Sequence, residues 1–180
     1  MRKGKLIIPV VGVFLLFLSC SEISKLTKFD MPVSNSMELP ALPMAVPEIK
    51  KNTDSISTNY QSSFSANKVS RDFIDKITLK SLTLKVSAPE NGSFSFLKSI
   101  KVAISSKGLP VKEIAYKTSV PADAGKTLLL DVDKTTDLKE YVLAGKIVMH
   151  ITLSTSKPTD APYTLTADAV FNVDAKLLGF

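Results

Sequence analysis

YTLTADAVFNVDAKL, residues 163–177, is the stretch that decides the fold class of this chain. Its intervening side chains are mostly polar, among them Thr166, Asp168 and Asn172. Its apolar side chains occupy eight successive alternate positions: Tyr163, Leu165, Ala167, Ala169, Phe171, Val173, Ala175 and Leu177. Because successive side chains of a β-strand point to opposite faces of the sheet, this pattern predicts a long strand with one buried face and one face in water.

The same alternation recurs in five shorter segments, at residues 77–86, 100–104, 114–116, 128–132 and 147–153. Inside the first segment the apolar positions shift by one residue, which predicts a β-bulge near Lys80 and Ser81. Short helical turns are predicted at residues 70–76 and 137–140, where a capping side chain and early acids stand. About six strands separated by turn signals predict an all-β fold, an antiparallel β-sandwich of the immunoglobulin-like or jelly-roll-like kind.

Residues 20–63 differ in composition from the rest of the chain. Four prolines fall within sixteen residues: Pro32, Pro40, Pro43 and Pro47. Proline lacks an N–H donor and stiffens the backbone, so the segment is predicted to be an extended tether. The alternation of Phe29, Met31 and Val33 leaves room for one edge strand inside it. The β-sandwich domain is then expected to span residues 64–180 and to fold without the tether.

The N-terminus has the composition of an export signal. Arg2, Lys3 and Lys5 form a short basic region, and the thirteen residues from Leu6 to Leu18 carry no charged or strongly polar side chain. A membrane-spanning helix needs roughly 20 apolar residues, so this run is too short to be a stable anchor. It is typical of the apolar core of a secretory signal peptide, which is removed after export.

The apolar run ends in Phe17-Leu18-Ser19-Cys20, and Cys20 is the only cysteine of the chain. This sequence resembles the lipobox of bacterial lipoproteins: Ser19 and Cys20 match the usual pattern, whereas Phe17 and Leu18 depart from it. The resemblance implies cleavage before Cys20, so that residues 1–19 are the signal peptide, and acylation of the cysteine. Two or more acyl chains anchor a protein stably, so the implied partner of Cys20 is the membrane.

A lipobox followed by a proline-interrupted spacer and a Ser/Thr/Lys-rich sandwich is similar to small envelope lipoproteins of the Bacteroidota. The resemblance implies a location in the cell envelope and carries over no activity. In a Gram-negative cell, Ser21 after the cysteine resembles the sorting pattern of lipoproteins that reach the outer membrane.

Charge and composition exclude several function classes. The formal net charge of +6 includes three cations of residues 1–19, which leaves +3 for the mature chain. Its cations alternate with acids, and no basic stripe with stacking aromatics is present, so a nucleic-acid partner is not predicted. His150 is the only histidine, and the resemblance implies that Cys20, the only cysteine, is acylated, so zinc sites of the Cys/His type are excluded. No cofactor or metal is predicted.

Four polar residues are candidates for a catalytic or metal-binding role. His150 is a potential general base, but no local motif ties a serine or carboxylate to it, so a solvent-facing strand position is favoured. Asp131, Asp133 and Asp137 are potential calcium ligands. Their spacing lacks the glycine and the terminal Glu of an EF-hand loop, so roles at strand ends and helix caps are favoured.

Phe94, Phe96 and Tyr116 are candidates for a sugar-stacking platform, although core filling is favoured in a chain without tryptophan. The leading hypothesis is a non-enzymatic, membrane-anchored envelope lipoprotein that presents its sandwich to a protein or glycan partner. The alternatives are a fimbrial-type assembly subunit that exchanges a strand between protomers and, as a narrower form of the leading hypothesis, a glycan-binding module.

Overall fold

The fold is that of a computed structural model, which describes residues 28–176. The predicted signal peptide, Cys20 and Leu177 lie outside the described residues. The strands are β1 (Lys28–Leu39), β2 (Ile49–Asn52), β3 (Ile56–Ser57), β4 (Ile74–Ala88), β5 (Leu97–Ser106), β6 (Leu109–Lys117), β7 (Thr127–Leu129), β8 (Asp131–Val132), β9 (Lys146–Thr155) and β10 (Tyr163–Ala175). The helices are α1 (Tyr60–Ala66) and α2 (Lys139–Leu143), and two 3-10 turns cover Arg71–Phe73 and Phe94–Phe96.

The strands form two antiparallel sheets that enclose a single hydrophobic core. The smaller sheet has the order β1-β10-β4-β7. The larger sheet has the order β2-β9-β5-β6-β8, and β3 pairs with the remaining length of β9. The predicted antiparallel β-sandwich with short helical turns is therefore confirmed.

The C-terminal strand β10 lies at the centre of the smaller sheet, between β1 and β4. Its alternate side chains are buried as the sequence predicts, and Phe171 is among the largest fully buried residues. The buried face consists of Leu165, Ala167, Ala169, Phe171, Val173 and Ala175. Alanines at three of these positions let the facing sheet approach closely, while Phe171 fills the space that remains.

The predicted β-bulge lies in β4. Ser81 is opposite Val170 and Leu79 is opposite Phe171, so Lys80 is the extra residue of β4. Because of this insertion, Leu79 and Leu82 both point into the core and both are fully buried. The bulge therefore explains why the apolar positions of β4 shift by one residue, from 77 and 79 to 82, 84 and 86, while both sets face the core.

Residues 128–132 are predicted as one strand, but the structure divides them into two. β7 pairs with β4 in the smaller sheet, and β8 pairs with β6 in the larger one. Leu130 lies between them and is buried. The chain crosses here from one sheet to the other, and the alternation continues because both sheets bury their inner faces in the same core.

The tether prediction is wrong for residues 28–63, because these residues belong to both sheets. The allowed edge strand is present as β1, which pairs with β10 along twelve residues. In addition, β2 and β3 pair with β9. This segment supplies part of the core, including Met31, Leu39, Leu42, Ile56 and Tyr60. The sandwich therefore begins at or before residue 28 and not at residue 64.

The prolines have structural positions that composition alone does not reveal. Pro32 lies within the edge strand β1, where a residue without an N–H is tolerated because one side of the strand has no partner. Pro40, Pro43 and Pro47 lie in the connection that crosses from β1 to β2. This connection is fixed by hydrogen bonds to the β9–β10 loop, including Thr159 N to Leu42 O at 2.8 Å.

Candidate functional site

The candidate site is a chain of hydrogen bonds on the outer face of the larger sheet. His150 lies on β9 between β2 and β5, with Asn52 and Ala103 as its cross-strand neighbours. Its Nδ1 is 2.9 Å from Asn52 Oδ1, and its Nε2 is 2.7 Å from Ser105 Oγ. Because an amide oxygen only accepts, Nδ1 donates to Asn52; in the tautomer with its only proton on Nδ1, Nε2 accepts the proton of the Ser105 hydroxyl.

This order of hydroxyl, imidazole and orienting group is the one that activates a serine nucleophile in hydrolases. Two features differ from such a site. The orienting group is a neutral amide, which fixes the ring but does not stabilise an imidazolium as a carboxylate does. The three side chains also stand on a sheet face where Asn52 is exposed and Ser105 and His150 are partly exposed. The contact can hold three strands in register and offers a donor and acceptor pair to a polar ligand.

Sequence reasoning predicts His150 on a polar strand face but misses both of its partners. Asn52 is 98 residues away and Ser105 is 45 residues away along the chain. No local motif connects such positions. Only the register of β2, β9 and β5 brings them together, and alternation within one strand does not fix the register between strands.

A polar cleft adjoins this group, where the edge strands β1 and β2 of the two sheets face each other. Its volume is about 430 Å³. Asn52 belongs to both the cleft and the hydrogen-bond chain. The lining residues are Ser36, Met37, Glu38, Lys51, Asn52, Thr53, Asp54 and Thr164. A cleft with two acids, one cation and several hydroxyl or amide groups suits a polar partner such as a peptide or a glycan.

The three candidate calcium ligands have separate structural roles. Asp131 forms an ion pair with Lys117 at 3.3 Å. Asp137 accepts hydrogen bonds from the backbone N–H of Ile77 and of Lys139, which begins α2. Within residues 28–176, no group of three or more His, Cys, Asp and Glu side chains is arranged to hold a metal ion.

Asp133 organises the turn that follows β8. Its carboxylate accepts hydrogen bonds from the Thr135 hydroxyl at 2.6 Å and from the Thr136 hydroxyl. These bonds, the one from Thr135 first, lower the pKa of Asp133 well below the ordinary value of 3.8. The strand-end role favoured for these aspartates fits Asp131, the first residue of β8, and Asp137 lies one residue before the N-cap of α2.

The predicted aromatic candidates do not form a platform. Phe94 and Phe96 are buried, and the ring of Phe96 packs against Tyr163 with centroids 4.7 Å apart. Tyr116 is 40% exposed. It points outward because Ile114 is an extra residue in β6, so the inner face receives both Ile114 and Ala115. The favoured core-filling role is therefore confirmed for Phe94 and Phe96 and is wrong for Tyr116, and the three rings do not lie together on one face.

No protein-family model matches the chain, and no curated protein sequence matches it. Among solved structures, the chain is similar to that of Desmodium yellow mottle tymovirus, with 13% identity and a TM-score of 0.24 over 100% of this chain and 99% of that one. It is also similar to a structure of turnip yellow mosaic virus at 100 K, with 10% identity and a TM-score of 0.29 over 84% of this chain and 98% of that one. Such scores carry no argument about function. No helix within residues 28–176 has the length and apolar character needed to cross a membrane.

Proposed function

We propose that this protein is a lipid-anchored lipoprotein of the cell envelope, held in the outer membrane, that presents a β-sandwich to a polar partner without catalysing a reaction. The observation that carries the proposal is the short distance along the chain between Cys20 and the fold. β1 begins at Lys28, so only residues 21–27 separate the lipobox cysteine from the first strand. A fully extended chain of that length spans roughly 28 Å, which holds the sandwich close to the membrane surface.

Presentation of a closed sandwich is favoured over strand exchange by the position of β10. This strand is paired on both sides by strands of its own chain, and its apolar face is buried in its own core. A subunit that accepts a strand from another protomer has a missing strand at that place. A chain with all of its central strands present is instead suited to act as a self-contained module.

The binding surface of the proposal is the cleft between β1 and β2. Its acidic and amide groups, with Glu38 on one wall and Asn52 on the other, provide hydrogen-bonding groups on both sides. The edge strand β2, which borders the cleft on one side, has backbone groups without a partner strand on its outer edge, and an extended peptide can also use these groups. The glycan alternative relies on the same side chains and does not need an aromatic platform.

The anchor is tested by mass analysis of the protein extracted from membranes. The expected chain begins at Cys20 and carries the added mass of acyl chains, while Cys20→Ala appears in the soluble fraction. Ser19→Ala, which keeps a small residue before the cysteine, is the matched control and should remain acylated. An unmodified chain that starts at another residue would overturn the lipoprotein proposal.

The non-enzymatic part of the proposal is tested at Ser105. The wild-type protein and Ser105→Ala should hydrolyse an activated ester such as p-nitrophenyl acetate at the same background rate. Because His150 on an exposed face can itself react slowly with such esters, His150→Gln is measured beside them. A rate that depends on both residues, with labelling of Ser105 by a fluorophosphonate, would show an enzyme instead.

A further inference from the structure

We infer that the end of the sandwich at which β1 begins is a basic surface that lies against anionic phospholipid head groups. This tether end consists of Lys28 and of residues 67–76, 107–108, 137–146 and 174–176. The inference rests on the proposed lipid anchor, because the anchor decides which end of the molecule faces the membrane. It adds the class of lipid that this end recognises.

Direct contacts join the parts of the tether end into one surface. Lys28 Nζ is 3.1 Å from Asp174 Oδ2, and Lys176 Nζ is 3.0 Å from Asp75 Oδ1. The Lys139 ammonium donates to the carbonyl of Ile74, which ties α2 to the first residue of β4. A shallow depression brings the remaining segments together, and it is lined by Arg71, Asp72, Lys107, Leu109, Lys139, Glu140, Leu143 and Ala144.

The tether end carries the whole formal net charge of the described chain. Residues 28–176 contain 19 Lys and Arg against 16 Asp and Glu, a net charge of +3. The tether end alone contains eight of these cations against five acids, which is also +3. The loops at the opposite end, residues 40–48, 89–96, 118–126 and 156–162, contain two cations against four acids, a net charge of −2. The molecule is therefore electrically polarised along the direction of its strands.

Most of the cations at this end are free to meet a membrane. Among the described residues, five exposed cations of the tether end have no ion-pair partner: Lys68, Arg71, Lys76, Lys107 and Lys146. Asp75 and Asp174 are already paired with lysines, and Asp137 accepts two backbone hydrogen bonds. Asp72 and Glu140 are the acids of this end that remain, so the free charge is clearly positive.

The length of the link makes this charge effective. The attraction of a cation to an anionic surface decays over a Debye length, about 8 Å at physiological salt. A link of roughly 28 Å at full extension permits the domain to settle onto the surface and prevents it from standing far away. Each Lys or Arg near an anionic surface strengthens binding about fivefold, so a few free cations suffice to orient a domain that is already anchored.

The test uses the full mature chain with Cys20→Ala, so that no acyl chain contributes. It is sedimented with vesicles of phosphatidylcholine alone and with vesicles that also contain phosphatidylglycerol, at low salt. We expect binding to the anionic vesicles only, and at least about tenfold weaker binding by the triple variant Lys68→Glu/Lys107→Glu/Lys146→Glu. The matched control, Lys98→Glu/Lys126→Glu/Lys157→Glu, changes the net charge equally on exposed residues outside the tether end and should bind nearly as the parent does.

Two outcomes would overturn the inference. Equal weakening by both triple variants would mean that net charge alone acts, and equal sedimentation with both kinds of vesicle would mean that this end does not recognise anionic lipid. Neither outcome affects the anchor, which the mass of the native protein decides separately. In the acylated protein, a fluorophore at Lys107→Cys should be quenched by nitroxide-labelled lipid head groups, whereas one at Asp123→Cys should not. Equal quenching of the two would also contradict the inference.

Discussion

The strands β1 and β10 lie side by side along twelve paired residues, but they are built differently. β10 has a partner on each side and buries every second side chain from Leu165 to Ala175. β1 has one partner and buries Met31, Val33 and Leu39, with Pro32 and several polar residues between them. The difference shows that a central strand needs continuous alternation, whereas an edge strand keeps its place with a few well-placed apolar side chains and a full backbone ladder.

The removal of β10 should have the largest effect. A chain of residues 20–162 loses an entire buried face, and β1 and β4 are left without their shared partner. We expect no cooperative thermal transition. The burial of several side chains contributes about 1.5–3 kcal/mol each, and its loss exceeds a typical free energy of unfolding of about 5–15 kcal/mol. Near-ultraviolet circular dichroism measures the loss of fixed tertiary packing around the aromatic side chains. Restoration of the native spectrum by a synthetic peptide of residues 163–180 would point to strand exchange instead.

The removal of residues 20–63 should be almost as damaging. It eliminates β1, β2, β3 and the first four residues of α1 together with their buried side chains, such as Met31 and Ile56. The chain of residues 64–180 should therefore be molten or insoluble, with fluorescence enhancement of a hydrophobic dye. A sharp, reversible melting curve for this chain would show that the N-terminal strands are accessory.

Single substitutions sharpen the contrast between the two strands. Phe171→Ala on β10 should lower the free energy of unfolding by about 3–5 kcal/mol, because it leaves a cavity in a close-packed core. Val33→Ala on β1 removes less buried surface and should lower it by about 1–2 kcal/mol. Val170→Ala, on the outer face of β10, is the control and should change it little. Urea denaturation measures all three, and equal losses at Phe171 and Val33 would contradict the distinction.

Deletion of Lys80 tests the bulge beside β10. Without this residue, the inward positions of β4 become strictly alternating and Leu79 and Leu82 still face the core, so we expect a loss of less than about 2 kcal/mol. Deletion of Thr83 instead turns Leu84 and Val86 outward and should prevent folding. Soluble yield and melting temperature distinguish the two deletions. Similar behaviour of both would mean that the bulge does not set the phase of β4.

The smallest effect concerns pH. Asp168 on β10 accepts hydrogen bonds from Lys85 on β4 and Ser34 on β1, and these bonds lower the pKa of its carboxyl group below 3.8. A carboxyl group with a lowered pKa in the folded state stabilises the fold above the unfolded-state pKa, and this contribution disappears as the pH falls through the folded-state value. The Asp168→Asn variant should therefore have a slightly lower melting temperature than the wild-type protein at neutral pH. Its melting temperature should fall less than that of the wild-type protein when the pH is lowered. Asp123→Asn, in an exposed loop, should keep the wild-type pH profile.

The parts of the fold that could be predicted from the sequence are those whose side chains alternate without interruption. β10, β9 and the two phases of β4 are visible because burial imposes a period of two over many residues. β1 is visible only in part: Phe29, Met31 and Val33 alternate, but Asn35 interrupts the apolar pattern and Pro32 resembles a tether residue. Composition therefore predicts a spacer at residues 28–39, although backbone hydrogen bonds to β10 hold this segment in the sheet.

The candidate site could be predicted only in part. The position of His150 on an outward strand face follows from the alternation of β9, but its contacts with Asn52 and Ser105 depend on pairing between strands far apart in sequence. The capping prediction for Asp137 is correct only in part. Its carboxylate accepts the N–H of Lys139, the first residue of α2, but the N-cap position is Leu138, which has no side-chain cap hydrogen bond. The core-filling prediction for Tyr116 is wrong, because the extra residue Ile114 shifts the alternation of β6 by one position. A bulge can be read from the sequence only where it leaves two apolar phases, as in β4.

Pro32 has a consequence for crowding in the plane of a membrane. If every copy is anchored through Cys20, every β1 runs away from the bilayer, so two neighbouring β1 edges can meet only in the parallel sense. Each such edge lacks one donor at Pro32, and the Asn35 side-chain amide already occupies the carbonyl oxygen of Ser36 at 3.2 Å. These two features oppose pairing of β1 with the β1 of a neighbouring molecule. Closely packed copies on a membrane can therefore stay separate instead of joining into one continuous sheet.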